Sequence, residues 1–124
     1  MMTNFIFAMA ISATLHFNIG EISKAISTGD ADALGQYLDQ TVEIAILDQE
    51  GTYDKARAIS VLKQFFAKNP ARGFSQVHQG TSKGSDSQYC IGDLSTNTTT
   101  YRVYIYLKSA GGKFLIQELR FDRQ

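Results

Sequence analysis

Two alternating segments in the last third of the chain, joined by a short turn, constrain its fold most strongly. The first covers residues 101–108 and the second covers 113–121, with two glycines in the turn between them. Because successive side chains of a strand point to opposite faces, Val103, Ile105 and Leu107 share one face of the first segment. The pattern predicts a long, strongly twisted hairpin whose apolar face must be covered by helices.

The opposite face of this hairpin combines aromatic and charged side chains. Alternation assigns to it Arg102, Tyr104, Tyr106, Phe114, Ile116, Glu118 and Arg120. An exposed aromatic sheet surface is typical of an interface. We therefore predict a homodimer through this face, with a peptide or glycan as the alternative occupant. We also expect ion pairs among Arg102, Glu118 and Arg120, either across the hairpin or across the subunit boundary.

Two helices are predicted before the first strand. Isoleucines recur at helical spacing over residues 19–26, and this pattern ends before Asp30. Asp30 is expected to cap the second helix, because its carboxylate can accept hydrogen bonds from free backbone N–H groups. Leu34, Tyr37 and Leu38 are expected to form the buried face of that helix.

A short hairpin and a longer helix are predicted next. The run 42–47 indicates a strand, and Gly51 is expected to supply a positive φ angle in the turn that leads to the return strand. Asp54 is expected to cap a helix over 55–69. Pro70 ends that helix, because proline lacks a backbone N–H and clashes with the preceding turn.

Strands are predicted for the remainder of the chain, at 74–81, 88–96 and 100–108 before the last segment. Helices thus precede hairpins, and this order is typical of an α+β fold instead of alternating βαβ units. We predict N-terminal helices packed on a strongly curved antiparallel sheet. Because no linker or repeat divides residues 19–124, we expect them to form one domain.

An apolar leader, residues 1–18, precedes this domain. Met1 to Gly20 contain no Asp, Glu, Lys or Arg, and the run 5–11 is entirely apolar. This run is typical of the core of an export signal, although no basic residue precedes it. It is shorter than the ~20 apolar residues of a membrane span. Two interpretations stay open: an export signal, which predicts a periplasmic or secreted protein, or an extra helix that packs on the domain or on a partner.

Charge and cysteine content exclude several classes of protein. Twelve basic and twelve acidic residues cancel, so no net field favours nucleic acid. The single cysteine, Cys90, cannot form an internal disulfide and is expected to be a small packed residue. The two histidines, His16 and His78, do not have the spacing of a metal site. We expect no metal, no cofactor, no nucleic acid and no stable membrane span.

The predicted order of helices and strands, together with several short sequence segments, indicates a known fold. Gly-Asp-Ala-Asp-Ala-Leu at 29–34 precedes Tyr-Leu-Asp-Gln-Thr-Val-Glu at 37–43. This arrangement resembles the nuclear transport factor 2-like superfamily, whose cone-shaped α+β fold is also called cystatin-like. More narrowly, a family of small exported bacterial proteins of unknown function is similar to this chain at 65–70, 78–83, 101–104 and 115–120. The resemblance covers about residues 19–123 and implies a fold without implying an activity.

One activity of this superfamily makes a demand on a particular position. In the ketosteroid isomerase branch, the resemblance implies that Thr-Val-Glu is followed by the aspartate that acts as base. Here Thr41, Val42 and Glu43 are followed by Ile44. Because an isoleucine side chain cannot accept a proton from a carbon acid, the chemistry of that branch is not expected.

Four residues are candidates to line a pocket between the helices and the sheet: Tyr37, Tyr53, His78 and Gln117. Gln117 interrupts an apolar set that is expected to face the helices. It either lines the pocket or forms a polar bridge to helix backbone, since a buried amide needs hydrogen-bond partners. His78 lies in mid-strand. It could act as a general base or as a hydrogen-bond donor in the pocket, and the alternative is a strand histidine that a neighbour or water satisfies.

Three functions are compatible with these patterns. The favoured one is non-catalytic binding of a small apolar or amphipathic ligand in the cone. The first alternative is a protein–protein interaction module of the cell envelope with a filled cone. The second alternative is an isomerase- or hydratase-like enzyme that uses His78 with an acidic partner brought near by folding; catalytic residues are not assigned. A ligand-sized cavity in the cone would distinguish ligand binding from the interaction module with a filled cone.

Overall fold

The computed structural model describes residues 18–81 and 86–124, so the predicted leader lies outside the described residues except for its last position. The helices are α1 (Asn18–Thr28), α2 (Ala31–Gly35) and α3 (Lys55–Lys68). The strands are β1 (Leu38–Ile46), β2 (Gln49–Asp54), β3 (Ala71–Thr81), β4 (Ser87–Thr96), β5 (Thr100–Ala110) and β6 (Lys113–Arg123). The predicted α+β class is confirmed, since the described helices all precede β3 and the last four strands follow one another.

The described strands form one sheet with the order β2-β1-β6-β5-β4-β3. Neighbouring strands are antiparallel, except that β1 and β6 run parallel. The prediction of a wholly antiparallel sheet is therefore wrong in one pairing, and the sheet is mixed. The reason is that the last strand returns to the middle of the sheet and pairs with the first, which no local pattern specifies.

The predicted helix caps are confirmed. Asp30 Oδ1 accepts a hydrogen bond from the backbone N–H of Ala33 at 3.0 Å. Asp54 Oδ1 accepts one from the backbone N–H of Arg57 at 2.8 Å. Each bond satisfies an N–H group that has no partner within its helix. The longer helix ends at Lys68, two residues before the proline.

The second helix is shorter than predicted. It ends at Gly35, and Leu38 is the fully buried first residue of β1. The carbonyl of Tyr37 accepts a hydrogen bond from the backbone N–H of Ile116 in β6 at 2.7 Å. Because sheet pairing already begins at this point, the helix does not continue, and the prediction that Tyr37 and Leu38 share a helical face is wrong.

The turn between β1 and β2 also differs from the prediction. The positive φ angle, 54°, belongs to Leu47, and Gly51 lies within β2. Gly51 has a different role, because a Cβ atom at this position would lie 2.5 Å from the Tyr53 hydroxyl oxygen. Its missing side chain makes room for the aromatic ring two residues along the same strand.

The inner face of the sheet, which faces the helices, is filled by apolar side chains. Val103, Ile105 and Leu107 are at most 1% exposed. Their cluster includes Ile22, Ile26, Leu34, Leu62, Phe65 and Phe66 from the helices and Val42, Leu94, Leu119 and Phe121 from other strands. Helices and sheet therefore share one continuous core.

A β-bulge in β6 shifts the faces that simple alternation assigns. Tyr106 of β5 lies opposite Glu118, whereas the next residue of β5 lies opposite Ile116, so Gln117 is the extra residue. Ile116 is consequently fully buried, and Phe114 packs against the core. The prediction that Ile116 and Phe114 lie on the outer face is wrong.

Phe121→Ala is expected to lower the free energy of unfolding by about 3–5 kcal/mol, because it removes a fully buried ring from the core. Urea unfolding followed by circular dichroism measures the loss. Val77→Ala is the control, since Val77 is 54% exposed and should change stability by less than about 0.5 kcal/mol. A similar, small loss for both variants would contradict the position of Phe121.

Candidate functional site

The four predicted pocket residues do not share one cavity. Tyr37 lines a groove between α1 and α2. Half-buried Tyr53 packs on the core from β2. His78 is exposed on β3, and Gln117 lines a groove on the outer face of the sheet, the face turned away from the helices. The structure therefore places these residues in four separate surroundings, and their role in ligand binding stays a prediction.

Tyr37 is held by an acidic neighbour on α1. Its hydroxyl donates a hydrogen bond of 2.6 Å to Glu21 Oε2. This bond to the carboxylate, with a smaller contribution from burial, raises the pKa of Tyr37 above its ordinary value of 10.0. The contact fixes α1 to the turn after α2.

His78 pairs with a tyrosine that the sequence did not single out. Its Nε2 atom lies 2.9 Å from the Tyr89 hydroxyl oxygen. The two rings are tilted relative to each other, with their centroids 5.4 Å apart. The Tyr89 ring covers Gly80, where a Cβ atom would lie 2.7 Å from that hydroxyl. The pair lies on the outer face of the sheet and not inside the cone, with His78 exposed and Tyr89 half-buried.

Gln117 contacts strand β1 instead of helix backbone. As the bulged residue it donates a hydrogen bond from Nε2 to Asp39 Oδ2 at 3.0 Å. It lines an outer groove of about 390 Å³ together with Asp39, Glu43 and Glu118. The expectation that Gln117 points into the cone is wrong, because the bulge displaces it from the inner face.

Tyrosines and charged residues form two rows across the outer face. In one row Tyr89, Tyr106 and Glu118 are successive opposite residues of β4, β5 and β6. In the next row the corresponding residues are Ile91, Tyr104 and Arg120. Tyr104 and Tyr106 are 39% and 38% exposed. These rows line a groove of about 520 Å³, which we call the tyrosine groove.

Arg102 has a partner within the sheet that was not predicted. Its Nε atom lies 2.7 Å from Asp93 Oδ1 on β4. This bond raises the pKa of the guanidinium above its ordinary value. The expected ion pairing of Arg102 with Glu118 inside the hairpin is wrong, because the register places Asp122 opposite Arg102 and Tyr106 opposite Glu118.

Cys90 lies on the inner face and is 1% exposed. Burial raises the pKa of its thiol, which keeps it protonated and unreactive near neutral pH. This placement agrees with the packed role expected from the sequence. Across residues 18–81 and 86–124, no group of three or more His, Cys, Asp or Glu side chains is arranged to bind a metal ion.

In the part of the chain that the structure describes, no helix combines the length and the apolar character needed to cross a bilayer. The longest helix, α3, has 14 residues and a polar face.

Comparison with known families and structures gives two kinds of match. A family model described as "Domain of unknown function (DUF4783)" matches residues 19–122. The crystal structure of a DUF4783 family protein from Bacteroides ovatus ATCC 8483 is 29% identical, with a TM-score of 0.80 over 84% of this chain and 93% of that chain. A DUF4783 family protein from Bacteroides uniformis ATCC 8492 is 26% identical, with a TM-score of 0.81 over 85% and 95%.

More distant structures support the fold alone. An NTF2-like protein from Cytophaga hutchinsonii ATCC 33406 is 15% identical, with a TM-score of 0.62 over 85% of this chain and 91% of that chain. No curated protein matches the chain. The predicted resemblance to the nuclear transport factor 2-like fold, and to a family of unknown function, is confirmed.

Tyr37→Phe is expected to cost about 1 kcal/mol of stability at pH 7, because it removes a hydrogen bond to a carboxylate. A raised pKa means that the neutral phenol stabilises the folded state, so this contribution is present below pH 10.0 and is lost as the pH rises through the raised value. Urea unfolding of the wild type and of Tyr37→Phe at several pH values measures the difference in free energy of unfolding.

Tyr53→Phe is the matched control, since no hydrogen bond of the Tyr53 hydroxyl is present among the described residues. It should change stability little at any pH. If the two variants lost the same stability at pH 7, the hydrogen bond between Tyr37 and Glu21 would make no contribution to stability.

Proposed function

We propose that this chain, which belongs to the DUF4783 family, a domain of unknown function, is a non-catalytic protein-interaction domain. Its outer sheet face binds a second copy of the same chain. One observation carries this proposal. The interior of the cone is filled by buried side chains, whereas Tyr104 and Tyr106 on the opposite face are more than one third exposed. Exposed aromatic residues in a contiguous patch are typical of protein interfaces.

The size of the outer face supports this function. Six strands at a spacing of about 4.8 Å make a surface about 24 Å wide. A nine-residue strand such as β1 adds a length of about 30 Å. The resulting area, roughly 700 Å², is close to the ~800 Å² that each partner buries in an interface of standard size.

The packing of the interior favours this function over small-ligand binding in the cone. Phe65 lies with its ring centroid 4.6 Å from Phe121 and 5.2 Å from Tyr101, in the space between α3 and the sheet. A ligand would have to displace these rings. Catalysis through His78 is less well supported, because His78 itself is exposed and contacts a half-buried tyrosine. The residue after Thr41, Val42 and Glu43 is also apolar.

We also propose that the protein acts in the periplasm or outside the cell. Support comes from the sequence of the leader, whose first twenty residues carry no Asp, Glu, Lys or Arg and include an apolar run at 5–11. The proposed homodimeric interaction domain would then belong to the cell envelope.

Tyr104→Glu is expected to convert the dimer to monomers, because it places a carboxylate in an aromatic contact that excludes water. Sedimentation velocity at several protein concentrations measures the mass. Gln64→Glu is the control, since Gln64 is exposed on α3 and this change adds the same charge away from the sheet. A wild-type protein that stays monomeric at millimolar concentration, or a dimeric Tyr104→Glu variant, would contradict the proposal.

The proposed location is tested by producing the full chain in a bacterium with two membranes and fractionating the cells. We expect the protein outside the cytoplasm, with its N-terminus near residue 19 by mass spectrometry. Ile6→Lys, which places a charge in the apolar run, should keep the protein in the cytoplasm. Recovery of the unmodified full chain from the cytoplasm would contradict export.

A further inference from the structure

Strand β6 carries two opposite charges, Glu118 and Arg120, that form no ion pair within the described part of the chain. Glu118 and Arg120 are two residues apart, and both line the tyrosine groove. In the described part of the chain, ion pairs join Lys63 to Asp32 and Arg102 to Asp93, and neither Glu118 nor Arg120 takes part in one. A strand holds such side chains about 6.7 Å apart along its axis, with both on the same face.

The surroundings of Glu118 increase the need for a positive charge. Glu43 of β1 lies directly opposite Glu118 in the parallel register, and like charges in this position destabilise a sheet. Glu50 lines the same groove as these two carboxylates. Arg120, in contrast, lies opposite the uncharged Ala45 and Tyr104. The next carboxylate on its face, Asp122, also lines the tyrosine groove and lies opposite Arg102. The surplus negative charge of the outer face therefore lies at Glu118, immediately beside Arg120.

We propose that two copies of the chain pack their outer faces about a twofold axis that crosses β6 at right angles, midway between Glu118 and Arg120. Each Arg120 then pairs with Glu118 of the second copy, so that two equivalent ion pairs form. A twofold interface uses the same surface on both copies, which requires this kind of self-complementarity. The inference rests on the proposed function, because it names the geometry of the same interface.

The same axis satisfies the neighbouring strands. Tyr106 lies beside Glu118 and Tyr104 lies beside Arg120, so each Tyr104 faces Tyr106 of the second copy across the axis. The incoming guanidinium also meets Glu43, which lies beside Glu118, and relieves the repulsion between the two carboxylates. An axis perpendicular to the strands keeps the strands of both sheets nearly aligned, as in packed sheets generally.

Single charge reversals test this arrangement. Glu118→Arg places arginine at both positions 118 and 120, and Arg120→Glu places glutamate at both, so two equivalent repulsions form in each homodimer. Interfacial charge pairs commonly couple by a factor of ten or more, and two pairs act together. Each single variant is therefore expected to raise the dimer dissociation constant about 100-fold or more, as measured by sedimentation.

Mixing the two variants provides the decisive measurement. A copy with arginine at both positions complements a copy with glutamate at both, so the mixture is expected to form heterodimers of near wild-type affinity. Native mass spectrometry distinguishes the heterodimer from both homodimers by mass. The double variant Glu118→Arg/Arg120→Glu should recover a homodimer, because the reversed charges are again reciprocal.

Folding and non-specific charge effects are controlled separately. Urea unfolding of each monomeric variant verifies the fold, and Arg57→Glu, on the exposed side of α3, should leave the dimer unchanged. If Tyr104→Glu disrupts the dimer but the charge reversals do not, this geometry is wrong while the proposed function stands. If both single variants are monomeric and their mixture gives no heterodimer, the reciprocal pairing is wrong. A monomeric wild type would overturn both proposals.

Discussion

The contact between the inner face of the sheet and the helices is the interaction on which the rest of the structure depends. Phe65 of α3 packs against Phe121 of β6 and Tyr101 of β5, with ring centroids 4.6 and 5.2 Å apart. Burial of each such side chain stabilises the fold by about 1.5–3 kcal/mol. Because these rings occupy the middle of the cone, the interior serves as a hydrophobic core. The surface that we propose for recognition is the outer face, which the same strands form.

Features of the fold that depend on near neighbours could be predicted from the sequence. Asp30 and Asp54 cap helices through hydrogen bonds that span three residues, and alternation within one strand placed Val103 on the buried face. Pairings between distant segments could not be predicted in this way. The parallel contact of β1 with β6 ended the second helix before Leu38, and no pattern within the helix itself records that contact.

The candidate site shows the same division. Alternation in β5 correctly predicted that Tyr104 is exposed, because no bulge interrupts that strand near Tyr104. In β6 the bulge at Gln117 moved its side chain to the outer face, where it bonds to Asp39, 78 positions away in the chain. Tyr89 was missed because its position depends on Gly80 of a neighbouring strand. A glycine opposite an aromatic residue in a predicted hairpin was the available signal.

Hydroxyl-radical footprinting of the wild-type protein over a wide range of concentrations tests most directly whether a filled interior leaves the outer face as the working surface. We predict that Tyr104 and Tyr106 become protected as concentration rises, whereas Phe65 and Phe121 resist modification at every concentration. Tyrosines that react equally at all concentrations, or a folded protein in which Phe121 is modified readily, would contradict this prediction.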